Sequence, residues 1–219
     1  MPREPYSTAE DTLIFFANGK EAQYLRAACE DMDALIQEIE MVSLDIDGDG
    51  FKAVARAIID QQISIHAARS IWLRFEEFCT AHPAGAVNPE TVLEADIEDL
   101  RSCGLSRTKA LALHDLSQHV VDGRIDFTAL EKLPDEEVIE TLTQVRGVGR
   151  WTAQMYLMFS LGRPDIFAIA DGGLRRAVEK LKGLEAGAPP ELIEAIAEDW
   201  APYRTAAALY LWAFINTST

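Results

Sequence analysis

The stretch Leu142-Thr143-Gln144-Val145-Arg146-Gly147-Val148-Gly149-Arg150-Trp151-Thr152-Ala153 decides how the rest of the chain is read. Upstream of it, Pro134 followed by Asp135, Glu136 and Glu137 opens a helix over 135–144, with its acids at the positive end of the dipole. Two glycines separated by one residue then interrupt the pattern, and helical spacing of apolar residues resumes over 150–161. Glycine accepts positive φ and lets another backbone come close. A helix that starts just after such a turn presents unpaired N–H groups and a positive dipole end, which suits a phosphate. Arg146 and Arg150 flank the turn, and its carbonyls offer hard ligands to a monovalent cation. A Gly-x-Gly by itself is equally an ordinary turn between packed helices.

Working outward, the pattern is helical nearly throughout. Leu25, Cys29, Met32, Leu35, Ile36 and Ile39 recur at three- and four-residue steps and predict one helix over 20–41. Phe51, Val54, Ile58 and Ile59 repeat that spacing. Ser64 is placed to cap 65–79, Asn88-Pro89 reads as a cap with a first-turn proline, and Ser106 is placed to cap 107–121. Gly104 and Gly123 read as stops. With 96–103, 173–182, 189–199 and 202–215, about ten helices are expected and no strand.

The 219 residues carry 36 acids against 20 Lys and Arg, a formal charge of −16. Taken whole, that opposes a polyanionic partner. Its distribution does not: 101–182 holds 12 basic and 11 acidic groups, more than half of all the basic residues. Three cysteines exclude a disulfide framework and a four-cysteine iron–sulfur cluster built from this chain. The histidines show no metal-ligand spacing. No apolar run reaches the roughly 18 residues of a membrane span, and Met1-Pro2-Arg3-Glu4 lacks a signal-peptide core. The expectation is a cytoplasmic protein with no membrane partner.

Five segments together resemble one family. Leu142–Ala153 is similar to the hairpin of the helix–hairpin–helix (HhH-GPD) DNA glycosylase superfamily, in its alkylation-repair branch of the bacterial 3-methyladenine DNA glycosylase II (AlkA-like) type. Ile58-Ile59-Asp60-Gln61-Gln62-Ile63-Ser64 resembles the family's Gln-Gln-x-Ser element, and Gly104-Leu105-Ser106 with Lys109-Ala110 its Gly-x-Ser…Lys-Ala element. Asp165-Ile166-Phe167…Asp171…Leu174-Arg175 resembles the catalytic segment, and Trp200-x-Pro202-Tyr203-Arg204 with Tyr210-Leu211-Trp212 the C-terminal element. The likeness runs from about 50 to 215, in order. The chain is too short for the extra N-terminal α/β domain of longer members.

The resemblance implies an all-α protein of two helical subdomains with a DNA-binding cleft between them: 50–163, carrying a wedge loop and the hairpin, and 1–49 with 164–219, carrying the catalytic carboxylate. It implies base excision repair of double-stranded DNA holding alkylated bases, by a monomer. Asp171 falls where the family keeps its catalytic acid; the local reading, a cap on helix 173–182, is compatible with that role. Gly172-Gly173 would leave room there for a substrate backbone. Many relatives have a second acid just before, and here it is Ala170.

Strand-cutting members place a lysine after the hairpin for Schiff-base chemistry. Here it is Trp151, so a glycosylase without lyase activity is implied, and Trp151 becomes a pocket wall whose π face attracts a cationic alkylated purine. Trp212 resembles a second wall; Met155 and Tyr156 are added as pocket residues, and Met155 and Ala213 stand where some relatives have aromatics. Gln62 is the expected wedge, and Gln61 and Ser64 expected strand contacts. Lys109, Arg146, Gly147, Gly149, Arg150, Thr152 and Arg175 complete the expected DNA contacts, with Arg107, Arg163 and Arg176 as further candidates. The carbonyls of Thr143, Val145 and Val148 would hold Na⁺ or K⁺, and catalysis needs no other cofactor. Two other readings stay open: a glycosylase for a deaminated or etheno base, and a catalytically silent module that binds damage.

Overall fold

The computed structural model of the chain describes residues 11–83 and 85–217; the expectation about Met1–Glu4 lies outside them. The chain divides into two compact units, Gly48–Tyr156 and Met1–Asp47 with Leu157–Thr219. Where 50 and 163 were expected, the boundaries fall at 47/48 and at 156/157. The second lies inside a continuous helix, α10 (Arg150–Phe159), because the helical pattern runs past Tyr156 without a break.

The Gly48–Tyr156 unit is helical. It holds α3 (Gly50–Asp60), α4 (Ile65–Ala81), α5 (Pro89–Glu94), α6 (Ile97–Ser102), α7 (Arg107–Val121), α8 (Phe127–Leu130) and α9 (Asp135–Leu142), and α10 begins in it. The caps read from the sequence are present. Ser64, Asn88 and Ser106 accept the main-chain N–H of Ala67, Thr91 and Lys109 at 3.3, 2.8 and 3.2 Å. Each satisfies a donor that helix geometry leaves unpaired. Val54, Ile58 and Ile59 of α3, Phe75 and Cys79 of α4, Leu113 and Leu116 of α7 and Leu142 of α9 are buried completely. Burying each large side chain contributes about 1.5–3 kcal/mol. Trp72 lies 5.8 Å from Phe75, ring centre to ring centre, and carries the Arg56 guanidinium on its face at 5.1 Å.

The other unit departs from the all-helical expectation in one place. Two antiparallel strands, β1 (Asp11–Phe16) and β2 (Met41–Ile46), pair from Asp11 opposite Ile46 to Phe16 opposite Met41. The helix expected over 20–41 is two, α1 (Lys20–Ala28) and α2 (Glu30–Ile39), because Cys29 adopts an extended φ of −151° between them. Glu40, at φ 62°, turns the chain into β2, and Glu40 O accepts the Ala17 N–H at 2.7 Å. β2 alternates, with Val42 and Leu44 buried and Met41 and Ser43 exposed. In β1 the run Leu13-Ile14-Phe15-Phe16 hides the period because apolar residues occupy both faces; Ile14 and Phe16 are half exposed. The unit is completed by α11 (Gly172–Leu181), α12 (Pro190–Glu198) and α13 (Arg204–Thr217). Ala206–Leu211 of α13 are buried, and Tyr210 Oη donates to Phe15 O at 3.0 Å, tying α13 to β1.

Candidate active site and nucleic-acid interface

Asp171 is the N-cap of α11. Its Oδ1 accepts the Leu174 N–H at 2.8 Å and the Trp212 indole N–H at 3.1 Å, so two donors on different helices fix one carboxylate oxygen. The loop leading to it is held by the start of α13. Arg204 grips Asp165 with Nε at 2.8 Å and Nη2 at 3.0 Å, and Thr205 Oγ1 accepts from Ile166 N–H and donates to Arg163 O. The Asp165 carboxylate holds the Arg204 guanidinium above its usual pKa, against the effect of burial. The catalytic and C-terminal segments quoted from the sequence are therefore one constellation. Phe159 lies beside Trp212, ring centres 6.0 Å apart and tilted by 31°.

Gly173 has a role other than the one expected. A Cβ there would sit 3.0 Å from Asp171 Oδ1 and 3.5 Å from the Trp212 indole. The space that the sequence offered to a substrate backbone is filled by the carboxylate and the indole themselves. Gly173 is therefore a condition of the Asp171–Trp212 hydrogen bond, whereas a Cβ at Gly172 would meet only the Arg176 guanidinium at 3.2 Å. Sequence reasoning missed this because it assigned Trp212 a stacking role only.

In the Gly48–Tyr156 unit the hairpin runs from α9 through residues 143–149 into α10. Val145 N–H and Val148 N–H bond to Leu142 O and Val145 O, and Val145 and Val148 bury their side chains. Gly147 has a φ of +75° and a Cβ position 3.2 Å from the Ala112 methyl, so the protein itself demands glycine. Gly149 does not have positive φ, and nothing lies within 4 Å of where its Cβ would be. Its carbonyl accepts the Ala153 N–H at 3.1 Å, which makes it the first capping residue of α10. Arg146 and Arg150 are exposed at the turn. Arg150 pairs with Glu136 at 2.8 and 2.5 Å, which holds the Glu136 carboxyl below its usual pKa. An exposed pair of this kind is worth little and is readily exchanged for another anion. The Arg146 main-chain N–H donates to Asp115 Oδ2 at 2.7 Å, a support from α7 that no motif signalled.

Several expected contacts are spent inside the protein. Gln61 Nε2 donates to Gly147 O at 2.9 Å and to Thr152 Oγ1 at 2.8 Å, so Gln61 and Thr152 meet each other; Thr152 is 1% exposed. Lys109 Nζ donates to Ile59 O at 2.8 Å and Gln61 O at 2.7 Å, the carbonyls at the C-terminus of α3, where a cation is favoured. A phosphate contact would break that arrangement. Arg175 is half-buried, and its Nη2 reaches Ala188 O at 3.3 Å. Tyr156 is a core residue packed on Phe127 at 5.6 Å, and Met155 is buried too. Trp151 is half-buried. Gln62 is exposed with a φ of +54°, and Ile63 and Ser64 beside it are exposed.

A family model described as "HhH-GPD superfamily base excision DNA repair protein" matches residues 55–202. The chain is 35% identical over 163 residues to DNA-3-methyladenine glycosylase 1 of Schizosaccharomyces pombe, covering 74% of this chain and 71% of that one. A crystal structure of a DNA-3-methyladenine glycosidase from Bacillus halodurans superimposes with a TM-score of 0.79 at 35% identity, covering 94% of each chain. The Schizosaccharomyces pombe 3-methyladenine DNA glycosylase Mag1, in complex with abasic DNA, superimposes at 0.80 with 31% identity, covering 89% of this chain and 95% of that one. Against three curated relatives the chain spans 66%, 76% and 71% of their length.

Proposed function

The chain belongs to the HhH-GPD superfamily of base excision DNA repair proteins, and from that premise we propose that it is a monofunctional DNA glycosylase. Its substrates are alkylated purines, such as 3-methyladenine and 7-methylguanine, flipped out of duplex DNA, and it hydrolyses their N-glycosidic bond. The observation that carries this reading is the Asp171 carboxylate, held by Leu174 N–H and Trp212 Nε1–H at the head of α11. The names of the relatives support the substrate class, and the abasic DNA bound to one of them is what such a reaction leaves behind.

Breaking the C1′–N bond makes the sugar cationic. A carboxylate fixed beside it stabilises that charge more in the transition state than in the ground state, and it orients the water that attacks C1′. The base leaves as a neutral purine when it was cationic by alkylation, so the reaction is easiest for charged lesions. Trp151 supplies an electron-rich face for such a base and no amine for a Schiff base. The exposed turn at Gly149 and the start of α10 take a DNA phosphate on their N–H groups, assisted by Arg146 and Arg150. By motif position the carbonyls of Thr143, Val145 and Val148 would hold Na⁺ or K⁺, whose charge would draw the same phosphate closer; of the three, Val145 O also accepts the Val148 N–H at 3.1 Å. The protein acts as a cytoplasmic monomer.

Duplexes carrying single 7-methylguanine, 3-methyladenine, 1,N6-ethenoadenine or hypoxanthine test the proposal, with strand cuts read before and after alkali and with borohydride present. The expected result is release of the two methylated bases, cuts only after alkali and no trapped covalent complex. Preference for the etheno base or hypoxanthine would move the pocket to another lesion class. Ala170, exposed where relatives carry an acid, favours a second reading as a silent damage-binding module; tight binding with no release of any base would select it.

A further inference from the structure

The turn between α3 and α4 is built at a cost. Gln62 sits at φ +54°, in the left-handed region where a residue other than glycine is strained, and such strain persists only where the surroundings over-determine it. Lys109 supplies that determination. It stands in the first turn of α7, its own N–H capped by Ser106. Its ammonium reaches across to the last carbonyls of α3, Ile59 O at 2.8 Å and Gln61 O at 2.7 Å. Burial holds the Lys109 pKa below its usual value, opposed only in part by the Asp60 charge. Gln61, whose carbonyl Lys109 holds, spends its side-chain amide on Gly147 O and Thr152 Oγ1. A chain of four hydrogen bonds therefore runs from α7 through the strained turn to the hairpin and α10.

We propose that Lys109 is a positioning residue for duplex opening: it locks the Gln61–Gln62 turn to the hairpin, so that gripping a phosphate and inserting the exposed Gln62 side chain into the duplex are one event. This rests on the reading of the chain as a glycosylase that flips bases. A turn free to move on its own would retract under the restoring force of base stacking. A turn bonded to Gly147 and Thr152 retracts only if the hairpin lets go of the phosphate.

The experiment compares Lys109→Met, Lys109→Arg and Gln61→Leu with the wild type. Opening is read by the fluorescence of 2-aminopurine next to the lesion. Release is read in single turnover for 7-methylguanine in a regular pair and opposite a mismatched base. Affinity is read on a duplex that already holds an abasic site. Lys109→Met should slow opening and release about tenfold in the regular pair and under about threefold at the mismatch, where less opening work is needed. Its affinity for the abasic duplex should stay within about twofold. Lys109→Arg, which can also donate to two carbonyls, should restore most of the loss. Gln61→Leu should reproduce it even if Lys109→Met folds poorly, and the double variant should add little. Equal slowing on paired and mismatched substrates, or wild-type opening in both single variants, overturns the proposal and leaves the glycosylase reading intact. Wild-type opening without base release, abolished in the variants, does the reverse. A wild type that opens no duplex overturns this proposal.

Discussion

Gly147 and Gly149 stand two residues apart and are glycines for different reasons. Gly147 is required by its own backbone, at φ +75° and 3.2 Å from the Ala112 methyl. Gly149 is required by nothing within 4 Å inside the protein. Gly147→Ala should lower stability by about 1–2 kcal/mol, some 3–6 °C in Tm. Gly149→Ala should cost no more than a weakened N-cap, under about 1 kcal/mol, yet raise the Kd for duplex DNA about tenfold, because a methyl group stands where a phosphate approaches. Calorimetry and anisotropy on the two variants check the pair; DNA affinity unmoved in Gly149→Ala would remove the phosphate from this turn. Trp212→Phe keeps the ring and removes the donor to Asp171. A hydrogen bond to a charged group is worth about 1.5 kcal/mol, so kcat should fall about tenfold with KM little changed. A rise in KM alone would instead make Trp212 a stacking wall, as the sequence had it. Burial pushes the Cys79 thiol from 9.0 up to about 12 and raises Cys103 as well. The folded thiols hold protons that the unfolded chain releases near pH 9, so stability is fully present below pH 9 and is lost as pH climbs toward 12. Native protein should give one reactive thiol at pH 8, Cys29, and three after denaturation; a falling Tm above pH 9 is the companion measurement.

At the scale of elements, what was legible in the sequence is what local chemistry decides. Ser64, Asn88, Ser106 and Asp171 cap the helices they were expected to cap, because a short polar side chain before an apolar period has one obvious use. Local pattern could not show what else holds Asp171, whose partner Trp212 lies 41 residues away on α13. β1 and β2 were illegible for a stated reason: Leu13–Phe16 lacks an alternating pattern, and the helical period of 25–39 carries on into Met41 although Cys29 interrupts it. Lys109, Gln61 and Thr152 were legible as important and not as to why. A motif marks a residue's type and place, and whether its hydrogen bonds go to a phosphate or to Ile59 O is settled only by three dimensions. Gly173 belongs here as well. Its meaning is set by the helix packed over it, which no local pattern reports.

At the scale of the whole molecule, a formal charge of −16 limits how DNA is held. Lys109 and Arg175, two of the expected phosphate contacts, are turned to internal carbonyls, which leaves Arg146, Arg150, Arg107 and Arg176 as the exposed candidates, with the N–H groups of one helix end. Binding to undamaged duplex should therefore weaken only gently with salt, with a slope of log K on log salt shallower than about −4 at roughly 0.9 per neutralised phosphate. A slope near −7, about eight contacts, would require basic surface that this account leaves out. Among the described residues no helix is long and apolar enough to cross a membrane.

The most direct test of the central claim is single-turnover release of 7-methylguanine by the wild type and by Asp171→Asn. Asparagine keeps an oxygen to accept from Leu174 N–H and Trp212 Nε1–H, so the variant should fold and bind abasic DNA as the wild type does. Without the negative charge, release should fall by at least about a hundredfold. Release within a few-fold of the wild type would contradict the account and reduce Asp171 to the cap of α11.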